Sequence, residues 1–261
     1  MYEHMPVVFV SHGAPDALLK TPDAVACWSE IGKLTPQPAA ILVVSAHWEA
    51  QKPTVSLSGS PETIYDFSGF SPELYRMQYP APGAPVLAER VISLLSAAGL
   101  HTDSNTSRGL DHGAWVPLSA MYPKANIPVT QLSLVKNAGP ASHFELGRAL
   151  APLRNEGVLI LCSGAITHNF AWLDWHAKAD KAPMPQAEVF GNWVAERTAA
   201  QDISALLNYR SAPYGAESHP DEDHFMPFFV ASGAAKNNIP QRYRPRFSYG
   251  ALSMDAYVWR D

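Results

Sequence analysis

The chain has 261 residues, of which 47% are hydrophobic, and carries a formal net charge of −5 at pH 7 with histidine counted as neutral. It is long enough to bury a large core, and α/β folds of this size often form one domain. No block of five or more basic residues occurs, so nucleic acids and anionic membrane surfaces are poor candidate partners.

No apolar run approaches the roughly 18 residues that a membrane-spanning helix needs. The amino-terminal residues MYEHMPVVFVSHG lack the features of a signal peptide, and we interpret them as the first strand of a cytoplasmic protein. The two cysteines, Cys27 and Cys162, are too few for a disulfide framework and are expected to be small buried residues.

The first predicted elements are two apolar strands with a helix between them. Residues 6–10 (PVVFV) predict the first strand, and Thr21 before Pro22 predicts the start of the helix, because threonine suits the N-cap and proline the first turn. Residues 39–49 (AAILVVSAHWE) predict a second strand that is covered on both faces. We expect this strand to end on His47.

A third, short strand is predicted at residues 54–57, and a long loop with a short helix follows at residues 61–83. The aromatic residues of this loop, within 65–79, either pack the core or form an apolar wall or lid for a planar ligand. An amphipathic helix is then predicted over residues 84–100, with Gly99 as its stop signal.

The next predicted elements are two strands, residues 127–134 (IPVTQLSL) and 157–164 (GVLILCSG), with a helix between them at residues 141–154. Ser142 and Glu145 have the spacing of a capping box at the start of this helix.

A last helix is predicted within residues 221–235 and a terminal strand or hairpin within 248–259. Strands that alternate with helices in this way predict an α/β fold, with a mostly parallel central sheet and helices on both faces. No composition shift marks a boundary, so residues 1–261 are interpreted as a single domain.

Three of the ten histidines follow predicted strands. His12 follows VVFVS, His47 follows ILVVSA, and His168 follows VLILCSGAIT after a short turn. Ligands of open α/β sheets bind beyond the carboxyl ends of the strands. We therefore expect three strands to bring imidazoles into one region, although any one of them taken alone is more often a hydrogen-bonded loop residue.

Three further histidines are candidates for the same region. His224 opens the apolar helix of DEDHFMPFF, and His112 lies in GLDHGAW just before a predicted helix. His219 either supports the site or contacts substrate. Neutral imidazole is a common ligand of divalent metals, and histidine also transfers protons near pH 7. The pattern therefore predicts a metal site with an acid/base group at the carboxyl ends of the strands.

Six segments, in this order, resemble the DODA-type extradiol aromatic ring-opening dioxygenases. These enzymes are relatives of the catalytic subunit of protocatechuate 4,5-dioxygenase and include the 4,5-DOPA dioxygenases. The segments are SHGAP, VVSAHWE, TIYDFSGF with QYPAPG, GLDHGAW, SGAITHN and HPDEDHFMP. Each is short, but their joint order is specific, and the resemblance spans nearly the whole chain, roughly residues 12–254.

The resemblance implies an enzyme that opens a catechol ring beside the diol with O₂ and one non-haem divalent metal, usually Fe(II). It implies that His12, His47 and His224 are metal ligands. It gives His168 the role of acid/base, or of a fourth metal ligand as in some members. It also gives His112 a hydrogen bond to substrate or oxygen.

The expected ligand set departs from the common oxygenase site of two histidines and one carboxylate. The third ligand is His224, although Glu222 and Asp223 are close in the sequence. A site made of histidines also suits Zn(II), so a zinc hydrolase with the same residues is one alternative function. A non-catalytic binding protein on the same fold, as the related Memo proteins illustrate, is another.

The sequence leaves the identity of the catechol, the metal and the oligomeric state open. Arg108, Lys136 and Arg242 are candidate partners for a substrate carboxylate, and nothing in the sequence places them near the histidines.

Overall fold

The computed structural model describes residues 4–177, 181–236 and 238–260, so parts of the predicted domain 1–261 lie outside the described residues. Eight strands form one sheet in the order β4-β3-β5-β2-β6-β1-β8-β7. The strands are β1 (Val7–Ser11), β2 (Ala40–Ala50), β3 (Thr54–Ser56), β4 (Asp103–Asn105), β5 (Val129–Val135), β6 (Val158–Gly164), β7 (Gln241–Tyr243) and β8 (Ala256–Trp259).

The four central strands, β5-β2-β6-β1, are parallel to one another. Antiparallel pairs occur towards both edges, where β3 pairs with β5 and β8 pairs with β1 and β7. The predicted α/β fold with a mostly parallel sheet is confirmed. Parallel central strands need crossover connections, and these connections cover both faces of the sheet.

The helices form a layer on each face of the sheet. They are α1 (Ala17–Lys20), α2 (Pro22–Leu34), α3 (Pro85–Ala97), α4 (His112–Met121), α5 (Gly139–Leu150), α6 (Pro185–Ala199), α7 (Ile203–Leu207), α8 (Gly215–Ser218) and α9 (Met226–Ala234). Val7 and Phe9 of β1 belong to the apolar cluster that includes α5 and α9, whereas Val8 and Val10 belong to the cluster with α2 and α4. No helix within the described residues is long and apolar enough to cross a membrane.

Strand β2 differs from the prediction because it does not end on His47 but continues to Ala50. Its pairing with β6 stops at Ser45. Its pairing with β5 shifts register between Val44 and Glu49 and then resumes. An irregularity of this kind bends a strand and redirects a side chain, so His47 is presented from within the strand, where the regular pairing is interrupted.

Helix α5 also differs from the prediction, because the proposed capping box is wrong. The helix begins at Gly139, with Pro140 in its first turn, and no side chain caps its amino end. Gly139 has a φ of +71°, a left-handed conformation that glycine adopts without a steric cost. The Gly-Pro pair therefore starts the helix before Ser142, and Glu145 instead lies 3.0 Å from Arg148.

A buried polar network fixes the start of α4 against β2. The carboxylate of Asp111 is fully buried and accepts hydrogen bonds from Ser45 Oγ at 2.6 Å, Gln131 Nε2 at 2.9 Å and Arg108 Nη2 at 2.8 Å. The same Nη2 atom of Arg108 donates to the carbonyl oxygen of His47 at 3.2 Å. The network therefore ties the irregular part of β2 to the first turn of α4.

The first prediction concerns this network. We expect Asp111→Ala to lower the free energy of unfolding by about 3 kcal/mol or more, because it leaves the Arg108 cation without its buried partner. Chemical denaturation measures the change. Asp103→Ala is the matched control, since exposed Asp103 lies 3.9 Å from Lys52 and its loss is expected to change stability by less than about 0.5 kcal/mol. Equal effects of the two substitutions would contradict the prediction.

His143 of α5 is a structural histidine. It is buried, its Nδ1 donates to the carbonyl oxygen of Gly139 at 2.8 Å, and its Nε2 accepts from the Val135 backbone N–H at 3.1 Å. Burial lowers its pKa below the ordinary value for histidine. The neutral ring therefore satisfies both contacts, and protonation would remove the acceptor.

The second prediction is a pH dependence of stability. Because the pKa of His143 is lower in the folded state than in the unfolded chain, its contribution is fully present above the unfolded value of about 6.5 and is lost as the pH falls below it. We expect His143→Gln to lose less stability than the unaltered protein between about pH 7 and pH 5. Melting temperatures over this range measure the slopes, and exposed His101→Gln serves as the control. Parallel slopes for the protein and His143→Gln would refute the assignment.

Candidate metal centre

Three histidines from distant parts of the sequence meet above the central strands. His12 follows β1, His47 lies in the irregular part of β2, and His224 lies two residues before α9. Nε2 of His47 is 3.0 Å from Nε2 of His12 and 3.2 Å from Nε2 of His224. One ring nitrogen of each residue lies within 4.8 Å of the others. The sequence predicts that His224 opens the helix, but in the structure His224 precedes it.

The tautomer of His12 follows from its hydrogen-bond partner. Its Nδ1 lies 2.9 Å from Ser163 Oγ, and the Ser163 hydroxyl donates its proton to the carbonyl oxygen of Gly113. The hydroxyl must therefore accept from His12, so we assign the proton of His12 to Nδ1. This leaves the lone pair of Nε2 facing the other two histidines.

The rings of His47 and His224 each have a carboxylate beside Nδ1. Nδ1 of His47 lies 3.4 Å from Asp66 Oδ2, and Nδ1 of His224 lies 3.0 Å from Asp223 Oδ1. A carboxylate beside Nδ1 favours the tautomer that carries its proton there. The Nε2 atoms of both rings are then lone-pair donors as well.

Three lone pairs that face each other repel unless a cation lies among them. A metal about 2.0–2.1 Å from each nitrogen, with angles between 90° and the tetrahedral value, would space the nitrogens about 2.9–3.4 Å apart. The two measured Nε2 distances, 3.0 and 3.2 Å, fall within this range. The donor set of His12, His47 and His224 therefore fits a divalent metal.

The protonation states of the three histidines are those that metal binding requires. Burial, followed by the charges of neighbouring histidines, lowers the pKa of His12 and of His224 well below the ordinary value for histidine. Burial and the nearby His112 lower the pKa of His47 to about 4, although Asp111 and Asp66 oppose the shift. All three rings are neutral near pH 7, which is the state that binds a metal.

His112 is the first residue of α4 rather than part of the preceding loop, because Asp111 caps the helix. It is buried, and its ring centroid lies 3.9 Å from that of His47. Its Nδ1 lies 3.0 Å from Asp66 Oδ1, which also accepts a hydrogen bond from the His112 backbone N–H at 2.9 Å. His112 is therefore brought to the cluster, beside one of the three converging rings.

His168 is also brought to the cluster, on the other side. Its ring stacks on that of His224 with a centroid distance of 3.4 Å and an interplanar angle of 6°. It shares a possible ligand group with Asp223 and His224, distinct from the group that contains His12 and His47. Burial lowers its pKa to about 4, against the opposing charges of the nearby aspartates. His168 is therefore neutral near pH 7.

His219 lies away from the converging nitrogens. It is fully buried, its Nε2 lies 2.9 Å from the carbonyl oxygen of Ile166, and its ring stacks on Phe225 at 4.8 Å. Burial lowers its pKa to about 3. These contacts favour support of the segment that leads to His168, while direct contact of His219 with substrate stays a prediction.

Asp66 is a site residue that the sequence did not reveal. It is the one acidic residue of the segment TIYDFSGF, in which the aromatic residues give the stronger signal. Burial raises the pKa of Asp66, yet the hydrogen bond from His112 and the charges of His112 and His47 outweigh this and lower it to about 2. Asp66 is therefore a carboxylate at neutral pH.

The aromatic loop packs the core and also lies against a histidine of the site, while its role as a wall or lid for a planar ligand stays a prediction. Tyr79 is buried and donates to the carbonyl oxygen of Tyr122, which is core packing. Phe67, by contrast, lies edge-on to His112 at a centroid distance of 5.6 Å. Across the site, Phe170 lies 4.9 Å from His168 and is 66% exposed. Aromatic side chains therefore flank the histidines on two sides.

The three cationic candidates differ in their surroundings. Arg108 and Arg242 are each paired with a buried aspartate, at 2.8 and 2.6 Å respectively. Lys136 instead lines a cavity of about 510 Å³, together with Asp223 and other polar residues. Lys136 therefore shares a cavity with Asp223, the neighbour of His224, and with the acidic residues Asp221 and Glu222.

Comparison with known proteins gives consistent results. Residues 1–257 match the family model described as the catalytic LigB subunit of aromatic ring-opening dioxygenase. The chain is 41% identical over 256 residues to a 4,5-DOPA dioxygenase extradiol of Beta vulgaris, which covers 95% of this chain and 94% of the relative. It is 39% identical over 239 residues to one of Escherichia coli (strain K12), with 90% and 87% of the two chains covered.

A solved structure is similar over the whole chain. It is the crystal structure of an uncharacterized protein from Escherichia coli K12, with a TM-score of 0.81 and 34% sequence identity, and the match covers 98% of this chain and 100% of that one. The predicted family is confirmed. The chain therefore belongs to the LigB family of aromatic ring-opening dioxygenases and is an oxidoreductase of the extradiol ring-cleavage type.

Proposed function

We propose that the protein, as a single catalytic domain, uses a divalent metal and O₂ to open the aromatic ring of a DOPA-like catechol. The observation that carries the proposal is the convergence of three buried, neutral imidazoles, with Nε2 distances of 3.0 and 3.2 Å. The names of the relatives in Beta vulgaris and Escherichia coli support a catechol of the DOPA type.

We assign His12, His47 and His224 as the residues that hold the metal, with Fe(II) as the expected working ion and Zn(II) as an alternative occupant. When bound, the ion would supply a Lewis acid that lowers the pKa of a catechol hydroxyl and holds catechol and O₂ together. The neutral state of the three rings and the groups beside their Nδ1 atoms support this assignment.

We assign His168 as the acid/base that takes the second catechol proton on a ring nitrogen and later returns it. Its pKa, lowered to about 4 by burial, leaves it able to accept a proton near pH 7. Because the His168 ring stacks nearly parallel on the His224 ring, the nitrogens of the two rings lie in different planes. This favours the acid/base role over that of a fourth ligand.

We assign His112 to hydrogen-bond the substrate or oxygen and to stabilise negative charge there. Its burial and its place beside His47 support this role. Phe67 and Phe170, which lie against His112 and His168, are suited to pack on the two sides of a planar ring and to exclude water.

The third prediction tests the metal and the reaction together. We expect protein reconstituted with Fe(II) without oxygen, then given L-DOPA in air, to take up O₂ and form a yellow semialdehyde. His12→Ala and His47→Ala are expected to lose the metal and the activity, because each removes a converging nitrogen. Oxygen uptake, absorbance and metal analysis measure these outcomes, with exposed His101→Ala as the control.

Two results would contradict this proposal. One is full metal content in folded His12→Ala and His47→Ala proteins. The other is the absence of O₂ uptake with every catechol tested, in protein shown to hold iron, which would favour the zinc hydrolase or the binding protein.

The fourth prediction separates the two roles of His168. If it is the acid/base, His168→Gln is expected to keep the metal but to lower kcat about 10²- to 10⁴-fold. Metal analysis and steady-state kinetics on the same preparation measure both quantities. Loss of the metal in a folded His168→Gln protein would instead identify His168 as a ligand.

A further inference from the structure

Asp66 contacts two of the site's histidines at once. Its Oδ2 lies 3.4 Å from Nδ1 of His47, and its Oδ1 lies 3.0 Å from Nδ1 of His112. Oδ1 also accepts a hydrogen bond from the backbone N–H of His112 at 2.9 Å. Each carboxylate oxygen thus faces a different imidazole, and both imidazoles present the same ring atom to it.

The other converging rings have separate partners. His12 has the hydroxyl of Ser163 beside its Nδ1, and His224 has the carboxylate of its own neighbour, Asp223. Asp66 differs because it joins a proposed metal ligand to a proposed substrate contact. A change at Asp66 therefore acts on two rings with different functions.

Asp66 also belongs to a different part of the fold from the rings that it contacts. It lies in the aromatic loop between β3 and α3, next to Phe67, whose ring lies edge-on to His112. His47 lies in β2 and His112 begins α4. The position of the aromatic loop is therefore linked, through the Asp66 carboxylate, to the orientation of the His47 and His112 rings.

A carboxylate that accepts the Nδ1 proton of an imidazole fixes its tautomer and ring orientation and raises the basicity of Nε2. For His47 this directs the Nε2 lone pair towards His12 and His224. For His112 it leaves Nε2 as the ring nitrogen that faces away from Asp66 and is available to a ligand.

We infer that Asp66 is a positioning residue that sets the Nδ1–H tautomer of both His47 and His112 and thereby joins metal affinity to the substrate-side histidine. The inference rests on the proposed function in one respect, which is that His47 is a metal ligand. The tautomers themselves are properties of the metal-free protein.

The first experiment is nitrogen-15 NMR of the imidazole rings in the metal-free, full-length protein, with His47→Gln and His112→Gln used for assignment. We expect both rings to carry their proton on Nδ1. In Asp66→Asn we expect both rings to shift towards a mixture of tautomers, and in Asp174→Asn, an exposed aspartate paired with Lys181, neither ring should change. An Nε2–H tautomer at either ring of the unaltered protein would overturn the inference, even if Asp66→Asn failed to fold.

The second experiment measures the dissociation constant of Zn(II) by competition with a chelating dye. Asp66→Asn is expected to bind Zn(II) about 10- to 100-fold more weakly than the protein, and Asp66→Glu, which keeps a carboxylate, to recover part of the loss. Unchanged affinity in folded Asp66→Asn would overturn the inference. This failure is distinct from that of the proposed function, because the latter would appear as a lack of metal binding or of Fe(II)-dependent O₂ uptake in the unaltered protein.

Discussion

The structure of the site depends on one electrostatic constraint, which is the mutual approach of three imidazole lone pairs in a buried space. His12, His47 and His224 are neutral because burial opposes their protonation, and a hydroxyl or a carboxylate lies beside the Nδ1 atom of each ring. The lone pairs must then face one another at about the spacing of nitrogens around one metal ion. The surrounding fold keeps the three rings in this otherwise repulsive arrangement.

The sheet and its polar contacts supply that restraint. The register shift in β2 releases the backbone around His47 from regular pairing. Arg108, paired with the buried Asp111, donates a hydrogen bond to the carbonyl oxygen of His47 and so fixes the same segment. Asp111 also caps the helix that presents His112. His112 is thus positioned by the same buried aspartate that holds the segment of His47, one of the proposed ligands.

Much of the fold could be predicted because its signals are local. Apolar runs predicted the central strands, and Thr21-Pro22 and Gly99 marked helix ends that the structure contains. The two errors have different causes, which are competing local signals at α5 and strand pairing at β2. At α5 a glycine-proline turn prevailed over Ser142 and Glu145, and at β2 the pairing partners decided how far the strand continues beyond His47. Strand pairing is set by distant residues, so a local sequence cannot specify it.

By itself, the sequence determined the fold class and predicted that His12, His47 and His168 lie in one region, because imidazoles that follow parallel apolar strands lie at the same edge of the sheet. It also determined the family, through the order of short segments. Only the tertiary structure decided which nitrogen of each ring faces the centre, that His168 stacks on His224, and that Asp66 contacts both His47 and His112. The reason is physical: ring orientation and tautomer depend on neighbours brought together by folding, and residues in a loop give no periodic signal of where the loop will lie.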